Sequence, residues 1–289
     1  MTPAGIAPRY DTILKRIAHI ATLTLIVLLA SVIGLYFWQR ARTWRMFRRS
    51  PDIVNRIKIV PSDLDLSTVE LTNTKPCNIG YAEFALPSKY SLALYSYNGT
   101  TIIGKSSAFE FIFMPPKNPK GTNTCIHLMK LELSKLPVTH PLVREMSDPQ
   151  MTDLDFQIRI EKLTALPTLW QCLVIDKASF SDIVGRVLGK SISPYGCDGV
   201  YYYKTDATRG LLRKGQSDCH ASAHVVIESQ TRKNSLIFII NMRNDDASSV
   251  MPLLLPILKS FHFTVGNIPS EESLKALIQS TGIEPQPEE

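Results

Sequence analysis

"IAHIATLTLIVLLASVIGLYFWQRARTWRMFRR", Ile17 to Arg49, decides how the rest of the chain is read. From Ile17 to Trp38 its only strongly polar side chain is His19, near the start. As a helix rising 1.5 Å per residue this run is about 33 Å long, enough to cross a hydrocarbon core of about 30 Å. Tyr36, Phe37 and Trp38 close it where ring residues favour the headgroup boundary, and Arg40, Arg42, Arg45, Arg48 and Arg49 follow where cations reach water and lipid phosphates. A cleaved signal peptide has an apolar region of about 7 to 15 residues ending at small side chains, whereas this one is longer and ends in rings and arginines. A buried helix of a soluble protein needs no aromatic-to-basic boundary. The stretch reads as an uncleaved signal-anchor, a single-pass transmembrane helix over 17–38.

Trp44 and Phe47 fall on one helical face with Phe37, and the arginines spread around the others. Two readings fit 39–49: a segment lying along the lipid surface, or a solvated helix that only fixes topology. In both, Tyr36, Phe37, Trp38, Arg40, Arg42, Trp44, Arg45, Phe47, Arg48 and Arg49 form the membrane-interface set, and its lipid partner is a bilayer with anionic headgroups. Arg9, Lys15 and Arg16 precede the span and five arginines follow it, so the positive-inside bias places the downstream domain in the cytoplasm.

Net charge of +6 and a pI near 9.0 invite a nucleic-acid reading, but the charge is localised. The first 50 residues hold eight of the 32 basic and one of the 26 acidic residues, which leaves the remainder close to neutral. The electrostatic footprint that nucleic acid requires belongs to the membrane flank, so no nucleic-acid partner is expected.

Beyond the anchor, the order reads as an N-terminal tail (1–16), the span (17–38), a basic juxtamembrane segment and linker (39–76), an α+β soluble domain (77–266, divisible into 77–150 and 151–266), and a short C-terminal helix with a tail (267–289). Pro51 stops the first helix, and a short extended piece is expected around Ile57 to Val60. Asn98-Gly99 between two apolar runs predicts a two-residue hairpin, since both positions tolerate positive φ. Phe109, Phe111 and Phe113 alternate in a strand ended by Pro115-Pro116, and "CIHLMKLEL", Cys125 to Leu133, reads as a returning strand. Leu154, Phe156, Ile158 and Ile160 alternate with polar residues, which predicts a half-buried strand. "SFSDIVGRVLGKSIS" reads as a helix capped by Ser179 or Ser181. "VYYYKT", "RGLLRKG", "SAHVVIES" and "SLIFIINMR" read as successive strands, "SVMPLLLPILKSF" as a proline-bent helix, and Ser270 starts a last short helix. The fold class is α+β, an N-terminal transmembrane helix followed by a mostly antiparallel sheet packed with a few helices.

"LPILKSFHF", Leu255 to Phe263, resembles the closing helix and strand of the PsbP/Mog1-like α/β sandwich superfamily, over residues 195–265. That resemblance implies a binding or assembly module rather than an enzyme.

Five cysteines, Cys77, Cys125, Cys172, Cys197 and Cys219, form no C-x-x-C pair and read as buried free thiols. "SDCHASAH" gathers Cys219, His220 and His224, and Cys197 on a neighbouring strand completes a weak zinc-like set. "GRVLGKS" ends in Gly-Lys-Ser but has three residues between its glycines where a phosphate loop needs four. With no recognisable catalytic motif and no cofactor expected, the chain reads as a membrane-anchored binding or assembly module, with a protein partner in a membrane complex. The alternative is a membrane-anchored enzyme or metal-binding hydrolase using the Cys197 to His224 region.

Overall fold

A computed structural model describes residues 7–115, 152–191, 197–216, 221–242, 250–266 and 270–285. They fall into two compact units, one built from Met1–Pro51 with Pro167–Asp176 and the other from Asp52–Leu166 with Lys177–Glu289.

In the first unit α1 (Ala7–Arg49) is one helix about 64 Å long at 1.5 Å per residue, so the apolar run and the arginine-rich segment share an axis. It is long and apolar enough to cross a membrane, and none of its apolar window is buried. It ends at Arg49, one residue before Ser50-Pro51, in keeping with the expected stop. The unit's second helix, α4 (Leu169–Val174), comes from far along the chain.

The second unit contains α2 (Pro51–Lys58, from its second residue), α3 (Asp153–Glu161), α5 (Lys177–Ser191), α6 (Val250–Ser260) and α7 (Glu271–Ser280). Its strands are β1 (Ser62–Asp63), β2 (Thr74–Asn78), β3 (Ala82–Pro87), β4 (Ala93–Tyr97), β5 (Thr101–Lys105), β6 (Phe109–Met114), β7 (Cys197–Lys204), β8 (Thr208–Gln216), β9 (Ala221–Ser229), β10 (Ser235–Met242), β11 (His262–Phe263) and β12 (Glu284–Pro285). Among the described residues they form a nine-stranded sheet in the order β1-β7-β8-β9-β10-β6-β5-β4-β12 and a three-stranded sheet in the order β11-β3-β2. Among the described strands only the edge pairs β1/β7 and β12/β4 are parallel. The expected hairpin joins β4 to β5, with φ of 53° at Asn98 and 72° at Gly99, a conformation that glycine adopts without strain.

One face of the large sheet carries the main core. Phe109, Phe111 and Phe113 on β6 point the same way, as the alternation requires, and Phe113 stacks on Phe238 with ring centroids 4.5 Å apart. Phe84 from β3 and Phe261 after α6 complete the aromatic cluster. Leu253, Leu254, Ile257 and Leu258 of α6 and Leu274 and Ile278 of α7 close over it. "LPILKSFHF" is the end of α6 followed by β11, which pairs with β3 in the small sheet. The opposite face carries a smaller core in which Leu154 of α3 packs with Val200, Leu211, Val226 and Ile237.

Three expectations are corrected. Residues 153–161 are helix α3, where alternation predicted a strand. Thr152 caps it by accepting from the Asp155 amide at 3.2 Å. Gln157 and Glu161, which looked like solvent positions, are buried, so the apparent two-residue period of burial does not exist. Residues around Ile57 belong to α2, with Pro51 at its first position and Asp52 in its first turn, and the short extended piece comes later as β1. Finally, α5 starts at Lys177, upstream of both proposed caps, and Asp182 pairs with Arg186 one turn on at 2.8 Å. The expected strand over Cys125 to Leu133 lies outside the described residues.

Candidate functional site

Past Trp38, α1 has two opposite faces. At 100° per residue Trp38, Arg42, Arg45 and Arg49 align within a narrow sector, and they line one open groove with Ala41 and Met46. About 180° around lie Arg40, Trp44 and Phe47. The arginines are therefore not spread evenly. Arg42, Arg45 and Arg49 are exposed on a single stripe, and the Arg42 guanidinium sits 5.4 Å from the Trp38 ring centroid. Arg48, also exposed, stacks on Trp44 at 5.2 Å.

Arg40 does something else. It is only 3% exposed, lies over the Tyr36 ring at 4.3 Å, and donates from Nη1 to the carbonyl oxygens of Cys172 at 2.9 Å, Leu173 at 3.4 Å and Ile175 at 2.5 Å. Those carbonyls are the C-terminal end of α4, where the helix leaves acceptors unsatisfied and its dipole is negative. Trp44 Nε1 donates to the Pro167 carbonyl at 3.0 Å, just before the other end of α4. There Thr168 and Gln171 form a capping box, with Thr168 Oγ1 accepting from the Gln171 amide and Gln171 Oε1 accepting from the Thr168 amide. Two side chains expected at the lipid interface thus hold a short helix, running antiparallel to α1, against its face. Phe47 is buried and Trp44 half-buried, whereas Tyr36, Phe37 and Trp38 are exposed.

The second unit uses the same device at a larger scale. Lys190, on α5, is fully buried, and its Nζ donates to the carbonyls of Ile57 at 3.3 Å, Ile59 at 2.9 Å, Glu161 at 2.9 Å and Leu163 at 2.6 Å. These acceptors are the C-terminal ends of α2 and α3, so one ammonium caps two helices. The Glu161 carboxylate, also fully buried, accepts at Oε1 from Arg56 at 2.6 Å and from Arg213 at 2.7 Å, with Lys190 3.7 Å from Oε2. Burial opposes ionisation of Glu161, but Arg213 and Arg56, and then Lys190, together hold its carboxyl below the usual range. Burial also pulls Lys190 below the usual lysine range, against the pull of Glu161. Arg209 bridges Asp155 of α3 and Glu228 of β9 beside this cluster. The result is a set of buried ion pairs that joins α2, α3 and α5 to the sheet.

The weak zinc-like set is only partly described. Cys219 and His220 lie outside the described residues. Cys197 is on β7 opposite Gly215, and His224 is on β9 opposite Arg213, with β8 between them. Burial, and then the neighbouring Arg213, push the His224 imidazole down to about 4, so it is neutral at ordinary pH. The guanidinium beside it, committed to Glu161, is a poor neighbour for a metal cation. Among the described residues no group of three or more His, Cys, Asp or Glu is placed to hold a metal ion. Among the described residues Cys77, Cys172 and Cys197 form no disulfide, and Cys125 lies outside the described residues.

Arg56, Glu161, Lys190 and Arg213 were not singled out by the sequence. A signal was present: Lys190 continues the Ile183, Val187 stripe of its helix, and Glu161 follows Leu154 and Ile158 on theirs. A charge that falls on an apolar stripe marks a side chain with a buried partner. No family model matches the chain, and no curated protein and no solved structure was found to match it.

Proposed function

We propose that this protein is a single-pass, membrane-anchored binding or assembly module whose second unit works on the cytoplasmic side. The observation that carries the reading is α1: its apolar window has no protein covering it, and the aromatic residues that follow lead directly into an arginine stripe. Large apolar side chains such as Ile26, Leu29 and Ile33 stand more than half exposed along that helix, a surface that water disfavours and lipid accepts. Arg42, Arg45 and Arg49 suit anionic headgroups, each cation near such a surface contributing about 1 kcal/mol. The described second unit is a packed α+β body braced by buried ion pairs, the kind of rigid scaffold on which a partner docks. The PsbP/Mog1-like resemblance of 195–265 points the same way, toward binding rather than catalysis.

An assembly module predicts a larger species in its own membrane. Cross-linking in intact membranes followed by native electrophoresis should move the full chain from its monomer mass of 32.4 kDa into a discrete larger band. Migration as the monomer alone argues against an assembly role. Zinc content separates the hydrolase alternative: stoichiometric metal that disappears in a His220→Ala, His224→Ala variant would favour that reading over this one.

A further inference from the structure

We propose that α4 is a second, non-spanning membrane contact, a short helix seated in the headgroup layer beside α1 with Trp170 and Val174 turned toward lipid. The inference rests on the anchor reading of α1. Its starting point is an exposure pattern. In α4, Cys172 is buried on the inward side where Arg40 reaches its carbonyl, whereas Trp170 is 71% and Val174 58% exposed. These two lie four residues apart, on one face of the helix and away from Cys172. Leu169 is exposed as well, so a six-residue helix offers water an indole and two aliphatic side chains. Such a surface on a protein that already carries a lipid-suited helix needs an occupant.

Height along α1 identifies it. Arg40 is two residues past Trp38 and Trp44 six residues past it, or about 3 Å and 9 Å along the axis. Headgroups extend roughly 5–8 Å beyond the hydrocarbon on each side. With Trp38 at the boundary, a helix tied at Arg40 and Trp44 lies within or at the edge of that layer. Its C-terminal end, with Val174, is nearest the acyl chains because Arg40 holds it there, and Trp170 is one turn further out. Tryptophan partitions to this zone, its amphipathic ring at the headgroup level. Of the exposed arginine stripe on the other side of α1, Arg42 lies at the same height, about 6 Å past Trp38, and Arg45 and Arg49 lie further out. Lipid is therefore met on two sides, by cations on one and by an apolar helix on the other. Such a foot fixes the rotation of α1 about its own axis, which a lone spanning helix leaves free.

The test uses the full chain in vesicles of phosphatidylcholine with a minor share of phosphatidylglycerol. The chain has three tryptophans, Trp38, Trp44 and Trp170, so the emission of Trp170 is the difference between the wild type and Trp170→Phe, and that of Trp38 the difference between the wild type and Trp38→Phe. Phospholipids carrying a spin label on the headgroup should remove most of the Trp170 emission. Bromine near the chain terminus should remove little, and aqueous iodide should quench it weakly. If Trp38 is quenched by the lipid-borne quenchers but Trp170 is quenched only by iodide, the foot is wrong and the anchor stands. If neither responds to the lipid-borne quenchers, the anchor fails and the foot with it. Trp170 shielded from the lipid-borne quenchers and iodide alike would mean protein covers it, which also overturns the proposal.

Discussion

Lys190 brings three ammonium protons to four backbone carbonyls and a carboxylate oxygen, all from segments distant in sequence. Glu161 collects two arginines on a single oxygen beside it. Removing one partner from such a cluster leaves uncompensated charge in a dry site. Glu161→Gln should therefore destabilise the full chain in detergent by about 3–5 kcal/mol, read from chemical denaturation. Asp198→Asn, which breaks only the exposed Lys214–Asp198 pair, should cost at most about 1 kcal/mol. Acid should act through His224 as well as Glu161. The folded pKa of His224 lies near 4 against an ordinary 6.5, so between those values the unfolded chain binds a proton that the folded chain refuses. Stability is then full above about pH 6.5 and falls toward pH 4, by on the order of 3 kcal/mol for this group. The lowered pKa of Glu161 extends the loss into the carboxylate range. A His224→Gln variant should show a flatter stability profile between pH 6.5 and 4; an unchanged slope would remove His224 from the explanation. These residues were hidden in the sequence because solvent and a buried partner are equally good reasons for a charge. Only their positions on apolar stripes, Lys190 after Val187 and Arg40 between Tyr36 and Trp44, set them apart.

At the scale of elements, propensity and turn chemistry located most of the second unit. The Asn98-Gly99 hairpin, the phenylalanine strand, the four strands from Cys197 to Met242 and the helices at Val250 and Ser270 were all legible, because each combines a clear period with a recognisable turn or cap. Helix α3 was not. Its polar positions are filled by residues whose partners lie on β8, so the pattern of polarity no longer reports exposure. Helix α4 was missed for a different reason: six residues are too few to show a period, and what fixes them lies more than a hundred residues upstream. Arg40 supplies most of that fixation through charged hydrogen bonds, each worth about 1.5–3 kcal/mol. Arg40→Met should accordingly speed amide hydrogen exchange across Leu169–Val174 by at least tenfold, since 1.4 kcal/mol corresponds to a factor of ten. Exchange in β8 and β9, which belong to the second unit, should stay unchanged; equal acceleration there would mean that the substitution loosens the whole chain.

At the scale of the molecule, the basicity of the chain, its long first helix and the foot beside it make one argument about placement at a bilayer. The excess positive charge lies in the first 50 residues, and the two faces of α1 give the arginines separate tasks. Arg40 serves the protein, while Arg42, Arg45 and Arg49 are left for the surface outside it. What the second unit does was not legible, because surface shape is something no periodicity encodes. The central claim is that α1 spans a membrane with residue 50 onward on the cytoplasmic side. Its most direct test places one new cysteine before the span, at Thr2, and another after it, at Val60, which is 65% exposed. Each variant is labelled with a membrane-impermeant thiol reagent in sealed right-side-out and inside-out vesicles, against the background of the wild-type cysteines. The prediction is that Thr2→Cys reacts only in right-side-out vesicles and Val60→Cys only in inside-out ones. Reaction of both variants in the same vesicle orientation would contradict a spanning helix.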